Sequence, residues 1–242
     1  DPTPMSPWRY TEGLHEVGQG LHAWLQPDGG WGLANAGLVV DGDQTLLIDT
    51  LIDIRRTQAM LDAMARAIPA AHRICSCVNT HSHPDHAAGN CLLHADTLIF
   101  ASAAAAREMA FMSRGEDPFS TIVKNWQQHG EAGAYLHEVV GKRFVTHLST
   151  PRLPTVTFEQ SHELKVGDKQ VRLIKIGPAH TAGDVVAWVP ADGVLFTGDV
   201  VFHKVHPAVT PAGIEGWLAA CDTLLGWPIL VVVPGHGPIT GK

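Results

Sequence analysis

His81-Ser82-His83-Pro84-Asp85-His86 sets four side chains that can bind a cation within six residues. They follow directly on CSCVN, a run that reads as a strand. The hexapeptide is therefore a loop at a strand's carboxyl end, where side chains can gather around one point. His81 and His83 can converge on one ion while Asp85 and His86 face a neighbouring one. Imidazole and carboxylate donors without thiolate suit zinc, and also iron or manganese. Three later segments share one design, a ligand-type residue in a small-residue turn at a strand end. They are GPAHTAGD with His180, LFTGD with Asp199 and VVVPGHGP with His236. Glycine beside a ligand lets the backbone crowd a metal, and the preceding strand fixes its position.

The elements that must carry these residues can be read from periodicity. LHAWLQ, ANAGLVV and QTLLIDT are short apolar runs separated by the turn chemistry of PDGGWG and DGDQ, a small antiparallel meander. Met60, Leu61, Met64 and Ile68 repeat at helical spacing, and Pro69 closes that segment. RICSCVN and the stretch from Asp96 to Ala101 are further strands. Residues 103–145 read as an inserted helical segment. From Thr155 the pattern returns to strands, in TVTFEQ, HELKV, QVRLIKI, VVAWVP and GVLFTGD. A helix over 214–225 and the strand ILVVVPGHG end the chain. Two halves of strands followed by helix–strand units predict an α/β (α+β) fold, two sheets face to face with helices outside. Residues 1–20 are read as an N-terminal extension and 21–242 as a single domain.

The 242 residues suffice to bury roughly 70–75% of the unfolded surface in one domain. No apolar run approaches the ~20 residues that span a bilayer, so no membrane is expected. With 17 basic against 24 acidic residues and a net charge of −7, no basic stripe exists for nucleic acid. Cys75, Cys77, Cys91 and Cys221 form no disulfide framework and are expected as small hydrophobes, which points to the cytoplasm. DPTPMSP lacks the charged and apolar regions of a signal peptide, although removal of one ahead of Asp1 is compatible with it. No residue pattern sets an oligomeric state.

HxHxDH followed in order by His, Asp and His resembles the ligand set of the metallo-β-lactamase-fold hydrolase superfamily, from about Leu21 to the end. The resemblance implies a four-layer αββα sandwich with two zinc ions at one edge between the sheets. It implies that His81, His83 and His180 hold one metal, that Asp85, His86 and His236 hold the other, and that Asp199 bridges them. Asp49 in LLIDT resembles a buried family Asp that orients the ligand loop by hydrogen bonds; a turn residue closing a strand is the other reading. The chemistry implied is hydrolysis. Two cations lower the pKa of a shared water from about 15.7 towards roughly 7, and the bridging hydroxide attacks a carbonyl carbon. Asp85 would orient that nucleophile.

Departures from the family narrow the substrate. Asp199 stands where the best-known zinc β-lactamases have Cys or Ser, which disfavours an antibiotic-degrading enzyme. The all-His/Asp set is most similar to glyoxalase II and lactonases, yet the carboxy-terminal helical region of glyoxalase II is missing after His236. A small-molecule ester, lactone or thioester remains. Phe111, Met112, Phe119, Trp126 and Tyr135 of the insertion are expected as the packing face of outer helices, with a roof over the metals as the other reading. Trp31, in a loop that resembles the substrate flap of family members, is a candidate substrate contact. So are His203 and His206, which also read as solvated loop histidines. Three alternatives stay open: a mononuclear iron enzyme resembling persulfide dioxygenases, a β-lactamase-like enzyme, and a biosynthetic member that releases or cyclises an acyl group.

Overall fold

The computed structural model describes residues 7–28, 30–115, 118–145, 151–210 and 213–242. Seven strands form the first sheet in the order β1-β2-β3-β4-β5-β6-β7. They are β1 (Gly13–Gly18), β2 (Leu21–Leu25), β3 (Ala36–Asp41), β4 (Gln44–Ile48), β5 (Ser76–Val78), β6 (Leu98–Ser102) and β7 (Val156–Phe158). The first four pair antiparallel, and β4 to β7 pair parallel. The second sheet runs β12-β11-β10-β9-β8, built from β8 (Ser161–Val166), β9 (Lys169–Lys175), β10 (Val185–Val189), β11 (Val194–Phe202) and β12 (Val231–His236). Only β11 and β12 pair parallel there.

The meander, the β5 strand and the late strands stand where periodicity predicts them. β1 does not: GLHEVG lies in the segment read as an N-terminal extension, yet it pairs with β2 as the sheet's edge. Its signal is weak because only Val17 of the six is buried. Trp8 and Tyr10 also pack on the core. Residues 1–6 of the expected extension lie outside the described residues.

One apolar layer lies between the sheets. Leu21, Val39, Leu46 and Ile48 of the first meet Leu173, Val185, Ala187 and Phe196 of the second. On the outer face of the first sheet packs α1 (Ile54–Ala67), with Met60 and Met64 fully buried against Leu38, Leu47 and Ile99. Asp53 caps it, its carboxylate accepting from Arg56 N at 2.8 Å. On the outer face of the second packs α6 (Ile214–Leu225) through Ala220 and Leu224. These four layers are the αββα sandwich expected.

Between β5 and β6 a single helical turn, α2 (Pro84–Ala87), carries part of the hexapeptide. The insertion holds α3 (Ala103–Met112), α4 (Pro118–Lys124) and α5 (Gly130–Leu136), followed by a wider π-helical turn over His137–Gly141. Val140 and Phe144 at its end bury against Leu33 and Ile52. Phe111, Phe119 and Tyr135 are exposed and do not serve as a packing face. Met112 and Trp126 are half-buried, and Trp126 stacks on His137 at 4.2 Å. Among the described residues no helix is long and apolar enough to cross a membrane.

Candidate metal centre

Loops at the carboxyl ends of β5 and β9, together with the end of β12 and the middle of β11, bring all seven candidate ligands to one edge of the sandwich. Two clusters result, His81, His83, His180 and Asp199 in one, Asp85, His86 and His236 in the other. Asp199 touches both. Its Oδ2 lies 3.8 Å from His81 Nε2, 3.4 Å from His180 Nε2 and 3.3 Å from His236 Nε2, while Oδ1 lies 3.0 Å from His86 Nε2. Asp85 Oδ2 lies 3.3 Å from His236 Nε2.

The orientation of the rings tests whether this cluster fits metal ions. A His that binds a metal through one nitrogen donates the other N–H to an oxygen. His86 Nδ1 donates to Asp49 Oδ2 at 2.8 Å, and His180 Nδ1 to the carbonyl of Ala208 at 2.9 Å. His236 Nδ1 donates to the carbonyl of Leu33 at 3.1 Å, and His81 Nδ1 faces Thr80 Oγ1 at 3.1 Å. Thr80 Oγ1 in turn donates to Asp49 Oδ2 at 2.7 Å, so its oxygen is free to accept from His81. Four Nε2 lone pairs therefore point inward. His83 differs: its Nδ1 lies 3.0 Å from His180 Nε2, two ring nitrogens facing each other in one cluster. His81 Nε2, His86 Nε2 and Asp199 Oδ1 are buried with no hydrogen-bond partner among the described residues. Buried polar atoms are rarely orphaned, and divalent cations would satisfy these three. The donor set, five imidazoles and two carboxylates, suits zinc.

Electrostatics agree. Burial disfavours charge on His81 and His86 alike, yet the carboxylates of Asp199, Asp85 and Asp49 raise His86 well above the ordinary imidazole value. Burial also opposes charge on His236, but Asp199 and Asp85 push it up to about 10. The same field would stabilise positive charge on an ion bound there. Burial lowers His180 to about 4, which keeps its ring neutral and able to ligate.

Local backbone explains why the loops hold their places. Asp49 takes a left-handed conformation, φ 63°, uncommon for a residue with a side chain. There its Oδ1 accepts from Thr80 N at 2.7 Å, and it joins His86 and Thr80 into one network. Asp49 thus closes the strand and also holds the Thr80 and His86 side chains by hydrogen bonds. The carbonyl of His86 accepts from Thr50 N and from Asn79 Nδ2. At Gly235 an added Cβ would stand 2.0 Å from Asp199 Oδ1, so only glycine lets the two strands approach beside that carboxylate. Asp85 and His236 keep 17% and 13% of their side chains exposed, and the open face of the site lies on their side.

Several residues around the centre carried no recognisable sequence signal. Phe202 stacks on His236 with rings 5.2 Å apart and 3° from parallel, and Trp217 meets His180 edge-on at 5.6 Å. Asn35 donates through Nδ2 to the carbonyls of Pro234 and Gly237, clamping the His236 turn. Asp184 accepts from the amide and hydroxyl of Thr181 and shapes the His180 turn. The three candidate substrate contacts are dispersed. Trp31 is exposed and donates Nε1–H to Tyr135 OH at 3.1 Å, which ties its loop to the insertion. His203 donates to the carbonyl of Pro238 at 2.9 Å, beside the His236 turn. His206 is exposed and, among the described residues, reaches the carbonyl of Pro207 at 3.2 Å.

Comparison with known proteins places this architecture. The model of the metallo-beta-lactamase superfamily matches residues 29–236. The chain belongs to that superfamily and is a metal-dependent hydrolase. It is 24% identical over 228 residues to the "Metallo-beta-lactamase type 2" of Bacillus sp. (strain 170), covering 92% of this chain and 74% of that one. It is 26% identical over 214 residues to the human "Acyl-coenzyme A thioesterase MBLAC2", covering 84% and 72%. In fold it is similar to a metallo-beta-lactamase from Pontibacter korlensis, with TM-score 0.65 and 20% identity over 94% of this chain and 92% of the other. The sec-alkylsulfatase Pisa1 from Pseudomonas sp. aligns with TM-score 0.72 and 20% identity, over 96% of this chain but 39% of that longer one.

Proposed function

We propose that this chain hydrolyses a thioester, ester or lactone of a small molecule with two zinc ions held by His81, His83, His180, Asp85, His86 and His236 and bridged by Asp199. The contact of Asp199 with both clusters carries this reading. Bound in these clusters, two zinc ions would supply hydroxide at neutral pH and polarise the substrate carbonyl.

The chain's own residues do the rest. Burial and the fixed Nδ1–H donors hold His81, His86 and His180 in one tautomer, so the ligands need no reorganisation during turnover. Asp85 lies on the open face. His86 and His236 hold its carboxyl at about 2, against the effect of burial, so it is an anion throughout the neutral range. It can accept a hydrogen bond from the attacking group and orient it. Phe202 and Trp217 wall the site beside His236 and His180 and exclude water there. Asp199 in place of the Cys or Ser of β-lactamases favours acyl esters and thioesters, in line with the thioesterase relative.

Metal analysis of the purified protein by inductively coupled plasma mass spectrometry, with steady-state assays on acyl thioesters, esters, lactones and β-lactams, tests the proposal. Close to two zinc ions per chain and turnover of the first three classes are expected. About one iron with oxygen consumption on persulfides would overturn it.

A further inference from the structure

Four of the candidate ligand imidazoles have their second nitrogen set against an oxygen: His81 by Thr80, His86 by Asp49, His180 by Ala208 and His236 by Leu33. His83 does not. Among the described residues no oxygen lies within hydrogen-bond distance of its ring, and His180 Nε2 stands 3.0 Å from its Nδ1. Its side chain gives α2 no cap either. A ring so placed takes its direction from the backbone that carries it, and that backbone is held by its neighbour. Ser82, 4% exposed, donates through Oγ to Glu108 Oε2 on α3 at 2.8 Å. We infer that Glu108 is a positioning residue: it makes α3 a strap between the loops that carry His81, His83 and His180, and so fixes the direction of His83.

The other end of the strap is Ser102, the cap of α3. Its hydroxyl accepts from Ala105 N at 3.1 Å and donates at 2.6 Å to the carbonyl of Gly183, in the turn that carries His180. Helix and turn approach so closely there that a Cβ on Gly183 would stand 2.3 Å from Ala105 N. Between Ser102 and Glu108 runs about 9 Å of helix axis, a rigid spacer. Ala105 and Met109 bury against the body of the protein and hold the helix down. Glu108 is half-buried and forms no ion pair among the described residues, so Ser82 is the partner that accounts for its place. A hydroxyl on a carboxylate makes a hydrogen bond about twice as strong as one between neutral groups. Outer partners of this kind commonly tune how tightly a metal is held. The inference rests on the metal reading above and adds to it the helix that opens the insertion.

Zinc affinity of the full chain, measured by chelator competition in Glu108→Ala, Glu108→Gln, Ser82→Ala and the double variant Ser82→Ala/Glu108→Ala, tests this. Affinity should fall about tenfold in Glu108→Ala and in Ser82→Ala. The double variant should bind no more weakly than either single one, since all three break the same contact. Glu108→Gln should stay within about threefold of the wild type, because its amide oxygen still accepts from Ser82. Cobalt(II) in place of zinc gives a signature that lost packing alone would not move: its absorption bands should shift in the two Ala variants and return in Glu108→Gln. Ser82→Ala removes a single hydroxyl and leaves α3 whole, so it decides the matter even if Glu108→Ala does not fold. Losses that add in the double variant, or a Gln variant as weak as the Ala one, overturn the strap. Two zinc ions in the wild type with undiminished affinity in Ser82→Ala overturn the strap alone. A wild type that holds no zinc overturns the metal reading, and the strap with it.

Discussion

Asp49 and Asp85 are both buried carboxylates near the same imidazoles, yet their loss should read differently. Asp49→Asn keeps the seven candidate ligands but replaces an oxygen that accepts from His86 and Thr80 with an N–H donor. Zinc affinity should drop about 10–100-fold, measured by competition with a chromogenic chelator. Asp85→Ala or His81→Ala should instead abolish turnover at saturating zinc; near-normal rates in either would remove the site as assigned. Asp184 offers a test through pH. Burial pushes its carboxyl up to about 6 from 3.8. Between those values the unfolded chain releases the proton that the folded one retains, so this group lowers stability as pH rises, by about 3 kcal/mol once above 6. Asp184→Asn should flatten the urea-unfolding profile between pH 4 and 6; an unchanged slope would contradict the assignment. The convergence of the seven candidate ligands was legible in the sequence because small-residue turns and dense spacing mark them. Asn35 was not, since the carbonyls it clamps lie about 200 residues further on.

At the scale of elements, the strands and helices that carry an apolar period were readable, and α6 runs over the residues that spacing assigns to it. What escaped were pieces held by polar contacts. β1 buries one side chain and gains its place from hydrogen bonds to β2. The bend from the β5–β6 loop into β6 depends on Arg152, which donates to the carbonyls of Leu93, His94, Ala95 and Thr97 at 2.7–3.0 Å. No local pattern announces an arginine that serves four oxygens from another segment. Arg152→Ala should cost about 2–4 kcal/mol of unfolding free energy, because those carbonyls lose a charged donor together. Chemical denaturation would measure it, and a loss under half a kcal/mol would show that solvent replaces the clamp. The insertion was legible as helical, but the exposure of Phe111, Phe119 and Tyr135 was not, since an apolar residue at helical spacing reads as buried.

For the molecule as a whole, the candidate centre is the point where both sheets meet, and metal bound there is linked to folding. Free zinc at a thousandfold over its Kd adds about 4 kcal/mol of stability. A chain of this size gains about 2–4 °C in melting temperature for each kcal/mol. Chelation should therefore lower the melting temperature by about 8–16 °C, reversed by added zinc; an unshifted transition would mean the ions are not bound by the folded state. The ligand order has one more consequence. His81, His83, Asp85 and His86 precede the exposed turn near Gly115, whereas His180, Asp199 and His236 follow it. A chain severed at that turn would become two polypeptides that share each candidate metal, neither holding a complete set. Such a pair would be a split enzyme, each candidate metal set complete only when the halves associate.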